Sequence, residues 1–144
     1  MKVNIKKINE NAIVPTKGSK KAAGYDLYAC IEKPIFINPH KTVIVGTGLS
    51  IELPDMTFGA IFPRSGIATK RSLAPANKIG VCDSDYRGEY KIALHNHSDI
   101  TQWVNPGDRI AQLIIIPYID ADFIEVCELS ETERGIGGFG STGK

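Results

Sequence analysis

Glycine and proline punctuate this chain about every 8–12 residues, a spacing that leaves no room for long helices and suits a sandwich or barrel of short strands. They recur at Gly18, Gly24, Pro34, Pro39, Gly46, Gly48, Pro54, Gly59, Pro63, Gly66, Pro75, Gly80, Gly88 and Asn105-Pro106-Gly107. Between them lie β-branched or alternating segments that fit a pleated backbone. Thr42-Val43-Ile44-Val45 is one; Leu49, Ile51 and Leu53 alternate with Gly48, Ser50 and Glu52. Phe58, Ala60 and Phe62 alternate with Thr57, Gly59 and Ile61, and Ala121-Asp122-Phe123-Ile124-Glu125-Val126 is expected to add a further strand. Only Ser65 to Arg71 has helical character, about two turns at most, with Ser65 as the expected N-cap. The expected fold is all-β, two packed sheets in a distorted jelly-roll-like barrel or sandwich with at most one short helix. A chain of 144 residues suits one such domain. After Glu133 the pattern stops. Arg134-Gly135-Ile136-Gly137-Gly138-Phe139-Gly140-Ser141-Thr142-Gly143-Lys144 is too glycine-rich for strand or helix. The expected organisation is a β domain over residues 1–133 and a flexible arm over 134–144.

Composition excludes several functions. A formal net charge of +1 supplies no basic field for a nucleic acid polymer or an anionic membrane. Cys30, Cys82 and Cys127 are odd in number and widely spaced, against both a disulfide framework and a zinc site. Met1 to Lys7 has no apolar core of a signal peptide. The longest apolar run, Ile110 to Ile119, is interrupted by Gln112 and Pro117 and is about half the roughly 20 residues a membrane span needs. The chain is expected to be soluble and cytoplasmic. His95 and His97 share one strand face, but no third ligand lies near in sequence, so a metal site there is not expected.

The densest chemistry lies in Gly80-Val81-Cys82-Asp83-Ser84-Asp85-Tyr86-Arg87-Gly88-Glu89-Tyr90, expected as a β-hairpin with a charged tip. On an extended backbone Asp83 and Asp85 leave one face about 6.8 Å apart, too far to share a proton, so at most one serves as a base. The bland use of such a stretch is a solvated turn. Pro63-Arg64-Ser65-Gly66 puts donors and positive charge at a helix start, where an anion or an ordinary cap fits. Gln112 is an amide inside an apolar run and needs a partner, because leaving it unpaired costs about 1–3 kcal/mol. Asp108 fits the turn Asn105-Pro106-Gly107-Asp108, and Asp26 sits among apolar residues in Ala23-Gly24-Tyr25-Asp26-Leu27-Tyr28-Ala29. The tail spells Gly-x-x-x-x-Gly-Lys over Gly138 to Lys144, but the Ser/Thr that a phosphate loop requires after the lysine is missing. Its glycine N–H groups, Ser141, Thr142 and Arg134 still suit phosphate, and Phe139 suits a flat base. A frayed terminus is the alternative.

These five segments, in this order from Ala23 to Gly143, resemble the five motifs of the trimeric deoxyuridine triphosphatases (dUTPases). The resemblance implies a jelly-roll-like homotrimer with active sites shared between subunits, and Mg2+ as cofactor. It also implies hydrolysis of dUTP to dUMP and pyrophosphate, which limits uracil in DNA and supplies dUMP for thymidylate synthesis. By the same resemblance Asp83 is the base that deprotonates the water attacking the α-phosphorus. Val81, Cys82, Asp83 and Lys91, with the Asn77 amide, form the uracil-reading surface, and Tyr86 packs on the deoxyribose. Arg64, Ser65, Gly66 and Gln112 contact phosphates, Gln112 near the α-phosphate. In the arm, Phe139 closes over the base, Gly140 contacts the substrate, and Arg134, Ser141 and Thr142 bind phosphates. Asp26 approaches the metal through water, and Asp108 supports the site. Two residues depart from the family pattern: Cys82, where an aliphatic residue is more usual, and Lys78, where a glycine or another small residue is. The competing readings are dCTP deaminase or its bifunctional relative, which share the fold, and a noncatalytic nucleotide-binding jelly roll.

Overall fold

The computed structural model describes residues 1–138. Phe139, Gly140, Ser141 and Thr142, and with them most of the arm's expected contacts, lie outside the described residues. In chain order the elements are β1 (Asn4–Lys7), β2 (Thr16–Lys17), β3 (Tyr25–Tyr28), β4 (Ile35–Ile37), β5 (Thr42–Gly46), β6 (Leu49–Glu52), β7 (Thr57–Phe62), α1 (Ser65–Arg71), β8 (Leu73–Pro75), β9 (Gly80–Cys82), β10 (Lys91–Asn96), β11 (Gln102–Val104) and β12 (Arg109–Pro117). Turn residues end each strand after a few residues, as their spacing requires. The strands assemble into a five-stranded sheet ordered β2-β3-β12-β7-β9, a three-stranded sheet β5-β10-β8, and the pairs β1-β6 and β4-β11. Every pairing is antiparallel, and none of these sheets closes on itself. The all-β, jelly-roll-like expectation with one short helix is borne out, as an open arrangement and not a closed barrel.

The core lies between the larger sheets and is filled by Leu27, Val45, Ile61, Leu94, Ile110 and Leu113, among others. Strand β12 is the spine, paired with β3 along its first half and with β7 along its second. Ile61 and Leu113 are cross-strand partners that both point into the core. Period-2 alternation therefore turns Phe62, Gln112 and Asp26, which are also aligned across β7, β12 and β3, to the opposite face. In β7 it is the branched Ile61 that enters the core cluster; Phe58 and Phe62 stay half-buried on the outer side.

Three local expectations are corrected. The helix spans Ser65–Arg71, but its N-cap is Arg64, in extended geometry and without a capping side chain; Ser65 is already helical. Ser72, at φ 52°, closes the helix in the left-handed region. The stretch flanking Asp83 is not a paired hairpin, because β9 hydrogen-bonds to β7 and β10 to β5 and β8. Ala121 to Val126 forms no strand: among the described residues regular structure ends at Pro117, and Phe123 and Ile124 are 99% and 83% exposed. An alternating segment becomes a strand only against a partner edge, and within the described chain nothing pairs with this one.

Asn96 ends β10 and is fully buried. Its Nδ2 donates to the carbonyls of Ile37 (2.9 Å) and Ile100 (2.7 Å), and its Oδ1 accepts from the Ser98 N–H (2.9 Å) and hydroxyl (2.7 Å). One side chain thus ties β4, the end of β10 and the approach to β11. Asn96→Ala is expected to cost about 2–4 kcal/mol, because it strands several buried polar groups at once; urea denaturation followed by circular dichroism measures it.

Candidate active site

Two cavities collect the residues with chemistry. The first, about 280 Å³, opens between β9 and the start of β10. Its lining includes Asn77, Val81, Cys82, Asp83, Tyr86 and Lys91, brought together from two sheets and the loop between them. Its size is near the lower end of the roughly 300–1,000 Å³ typical of ligand pockets. Strand β9 is the edge of its sheet, so main-chain groups not used toward β7 are available as fixed donors and acceptors.

Asp83 lines this cavity and is exposed at its rim, whereas Asp85 is exposed but not part of the lining. Geometry thus separates the two carboxylates that spacing alone left equivalent. The Asp83 carbonyl accepts from the Tyr86 N–H (3.2 Å), which turns the chain back toward the cavity. The Tyr86 hydroxyl donates to the Glu89 carbonyl (3.1 Å), and its ring lies 6.1 Å from that of Tyr90. A Cβ at Gly88 would strike the Tyr86 ring and hydroxyl, so this glycine exists to let the ring fold down. At Gly80 an added Cβ would crowd Asn77 Nδ2 and Ile61 Cβ, both at 3.2 Å. The close approaches at these two glycines are between parts of the protein itself.

Cys82 is half-buried. Burial pushes its thiol pKa up, and the neighbouring Asp83 carboxylate adds to the rise while the Tyr90 hydroxyl opposes it. Burial likewise drives the Tyr90 hydroxyl well above its ordinary value, with the Cys82 sulfur contributing. Among the described residues no side chain or main-chain group is placed to hydrogen-bond that hydroxyl. Both groups therefore stay protonated at neutral pH, and Cys82 behaves as a small apolar wall, not a nucleophile. Lys78 also has an explanation. Its φ is 63°, and the Ile79 N–H bonds back to the Asn77 carbonyl at 2.7 Å, which makes a γ-turn of the strained, positive-φ kind. A glycine would adopt that geometry freely; the lysine is held there by the turn on either side.

Sequence reasoning did not single out Glu89 or Tyr90. The Glu89 carboxylate accepts from the Gly48 N–H (2.9 Å) and lies 3.4 Å from Lys91 Nζ. It fills the space that a side chain at Gly46 would need. Its acidity alone could not have revealed this, because Gly46 and Gly48 lie more than 40 residues away in the chain.

The second cavity, about 360 Å³, sits on the outer face of the five-stranded sheet, beside α1. Gly24, Asp26, Arg64, Ser65, Arg109 and Gln112 line it. The sequence placed Arg64, Ser65 and Gln112 here as anion contacts; Gly66 follows Ser65 in α1 but is not part of the lining. Gln112 Nε2 donates to the Pro63 carbonyl (2.9 Å), which answers its need for a partner. Its Oε1 lies against Gly24, where a Cβ would strike it. Arg134 lines neither cavity; its Nε donates to the Gly137 carbonyl (2.8 Å) in a local turn. Asp108 accepts from the Asn105 N–H (2.9 Å) and approaches Arg71 (3.4 Å), bracing the turn before β12.

Fold and cavities together define a jelly-roll-like β protein with one cavity beside the β9 edge and a second, arginine-lined cavity on the opposite face. The chain belongs to the dUTPase family, whose model matches residues 10–143. It is 46% identical, over 144 residues and the full length of both chains, to the deoxyuridine 5'-triphosphate nucleotidohydrolase of Nautilia profundicola. To the mitochondrial deoxyuridine 5'-triphosphate nucleotidohydrolase of Dictyostelium discoideum it is 47% identical over 139 residues, 96% of this chain and 75% of that one. Among solved structures, the Staphylococcus bacteriophage 80alpha dUTPase with dUPNHPP matches with a TM-score of 0.90 at 26% identity, over 99% of each chain.

Gly88→Ala is expected to push the Tyr86 ring out of the cavity wall and weaken deoxynucleotide binding about tenfold. The fold should survive, because the displaced ring already borders solvent. Titration calorimetry alongside a thermal melt separates the two effects.

Proposed function

We propose that this chain hydrolyses dUTP to dUMP and pyrophosphate, as a homotrimer whose active sites are shared between subunits. The family membership supports the activity. The observation that carries the assembly is the separation of the two cavities. The first opens beside core-facing Ile61 and Ile92; the second lies on the reverse face, with Asp26 and Gln112. They have no lining residue in common. One nucleotide cannot thread a sheet, so the base cavity of one copy has to meet the phosphate cavity of another. The exposed Ile119, Phe123, Ile124 and Leu129 support the same reading, because apolar surface of this kind is buried in assemblies.

In this reading the edges of β9 and β10 read uracil. Main-chain groups cannot reorient, so they distinguish uracil from cytosine by donor and acceptor pattern and leave no room for the methyl of thymine. Asn77 adds an amide, and Tyr86, pinned at both ends, gauges the sugar. Crowding alone would reject a 2′-hydroxyl by roughly 10²-fold. The Asp83 carboxylate takes the proton from water as that water attacks the α-phosphorus. Gln112, with one amide N–H committed to Pro63, offers the other near the α-phosphate. Arg64 and Ser65 hold the phosphates that leave.

No group of three or more His, Cys, Asp or Glu among the described residues is arranged to hold a metal. A magnesium ion therefore fits as a companion of the substrate phosphates, with Asp26, the carboxylate of the second cavity, reaching it through water. Bound there, magnesium supplies charge neutralisation for departing pyrophosphate. Residues 134–144 act as an arm that closes over the filled site, Phe139 on the base and Arg134, Ser141 and Thr142 on phosphates, while 1–133 form the β domain. Free thiols at Cys30, Cys82 and Cys127 suit the reducing cytoplasm. No described helix is long and apolar enough to cross a membrane. Against the deaminase reading stands Glu89: it is the other carboxylate of the base cavity, and it is already engaged by Gly48 and Lys91.

Pyrophosphate release measured with dUTP, dTTP, dCTP and UTP in magnesium should occur with dUTP alone; ammonia release from dCTP would overturn the assignment. Asp83→Asn is expected to lower turnover by about 10²–10⁴-fold while dUTP still binds. Removal of residues 134–144 should cripple turnover and leave the trimer and its melting temperature intact, measured by light scattering and calorimetry. Loss of the folded trimer would sink the arm's role.

A further inference from the structure

We propose that Tyr90 is a specificity-determining spacer: its buried ring, seated over Gly59 and against Cys82, sets the gap between the β9 and β10 edges and so the largest base that the first cavity admits. The identity of the base rests on the dUTP reading above; the wedge rests on geometry. Tyr90 lies just before β10, is 1% exposed and still lines the cavity, so it belongs to the inner wall and not to the rim. Its main chain is held from one side. The N–H donates to the Leu49 carbonyl (2.8 Å), and the carbonyl accepts from the Thr47 N–H (3.2 Å) and hydroxyl (2.6 Å). With its backbone tied there, the ring is directed inward.

The ring reaches a space that a missing side chain leaves open. Gly59 in β7 is aligned with Cys82 in β9, and it shares a face with core-facing Ile61 two residues on. A Cβ at Gly59 would lie 3.3 Å from the Tyr90 hydroxyl, 3.0 Å from Leu113 Cδ1 and 3.3 Å from Leu53 Cδ1. The hydroxyl thus stands where β7 carries no side chain, and two leucines close around it. Cys82 borders the same spot. Its thiol and the Tyr90 hydroxyl influence each other's ionisation, which places sulfur beside oxygen. A bulky residue at 59 or 82 would take the room that the ring needs, so the two small residues are matched to the large one.

Such a seat suits a spacer better than a polar contact. No group among the described residues is placed to hydrogen-bond the hydroxyl, and an unpaired buried hydroxyl is destabilising, so what the oxygen contributes is length. The side chain spans from Thr47 and the start of β6 to β7 and β9, across the gap in which the first cavity lies. Its ring stands 6.1 Å from that of Tyr86, tilted by 48°, so a shift of Tyr90 passes to the ring that gauges the sugar. A close-packed wall yields little, whereas a wall backed by a void gives way. A single methyl on the base is the kind of difference such a wall resolves, and pocket contacts resolve one methylene by about 10–200-fold.

The readout is the ratio of kcat/KM for dTTP to that for dUTP, with a thermal melt to report folding. Tyr90→Leu should raise the ratio about tenfold or more, because the void behind the wall lets it yield to the methyl. Tyr90→Phe keeps the ring and should keep the wild-type ratio. Gly59→Ala sets a methyl against the hydroxyl from the far side of the wall, so KM for dUTP should rise about fivefold while kcat changes less. The double variant Gly59→Ala/Tyr90→Phe should recover the KM, because loss of the oxygen frees the space that the methyl takes. A wild-type ratio in folded Tyr90→Leu would overturn the proposal, as would acceptance of dTTP by Tyr90→Phe, which would assign selectivity to hydroxyl chemistry. An unchanged KM in Gly59→Ala, or a double variant no better than Gly59→Ala, also refutes it. Should Tyr90→Leu fail to fold, the Gly59→Ala pair decides. Wild-type protein that does not cleave dUTP removes the substrate reading and the spacer with it. Wild-type protein that cleaves dUTP, beside a Tyr90→Leu variant of unchanged ratio, removes the spacer alone.

Discussion

Strands β9 and β10 are joined by one loop yet belong to different sheets, and the gap between their edges is the first cavity. Adjacent strands joined by so short a connection ordinarily pair, because unmade main-chain hydrogen bonds are costly to bury. Here the loop is captured from the side. The Tyr90 N–H donates to the Leu49 carbonyl (2.8 Å), and the Tyr90 carbonyl accepts from both the N–H (3.2 Å) and the hydroxyl (2.6 Å) of Thr47. The Ser50 hydroxyl takes the Arg87 carbonyl at 2.7 Å. Thr47 and the start of β6 thus hold the loop, while β9 pairs with β7 and β10 with β5 and β8. Tyr90, fully buried, fills the space beneath.

A second constraint governs the outer face. Helix α1 is short and has no capping side chain, so little in its own sequence fixes its position. Both ends are tied by ion pairs instead. Arg64, at its start, meets Asp26, and Arg71, at its end, meets Asp108 while its guanidinium lies 5.2 Å from the centre of the Trp103 ring. Asp108 precedes Arg109 on the same turn, so the contact that steadies the helix also steadies Arg109, at the β-bulge in the pairing of β12 with β3. The second cavity is thereby built from one side of the five-stranded sheet and a helix braced on carboxylates.

Much of this was legible in the chain. Regular punctuation pointed to short strands, and the helical window of Ser65 to Arg71 coincides with α1. Residue types marked Asp83, Tyr86, Arg64 and Gln112 before any geometry was known, and Lys78 stood out as a residue where a glycine belonged. Its positive φ supplies the reason. Other features had no local signal. Nothing near Arg109 marks the extra residue that turns it outward, because a bulge is defined only against the partner strand. Ala121 to Val126 has a strand's alternation, but alternation states a preference of side chains and not the presence of an edge to join.

The sequence by itself determined the class of fold, the short helix and the chemical inventory, because turn propensity and alternation act over a few residues and need no partner. Only the tertiary structure decided which strands pair, which of Asp83 and Asp85 borders a cavity, and that Asp26 meets two arginines. Those outcomes depend on contacts between segments tens of residues apart, where many partners are compatible with one local pattern. Burial and main-chain hydrogen bonding choose among them together, and that choice set the two cavities on opposite faces of one sheet.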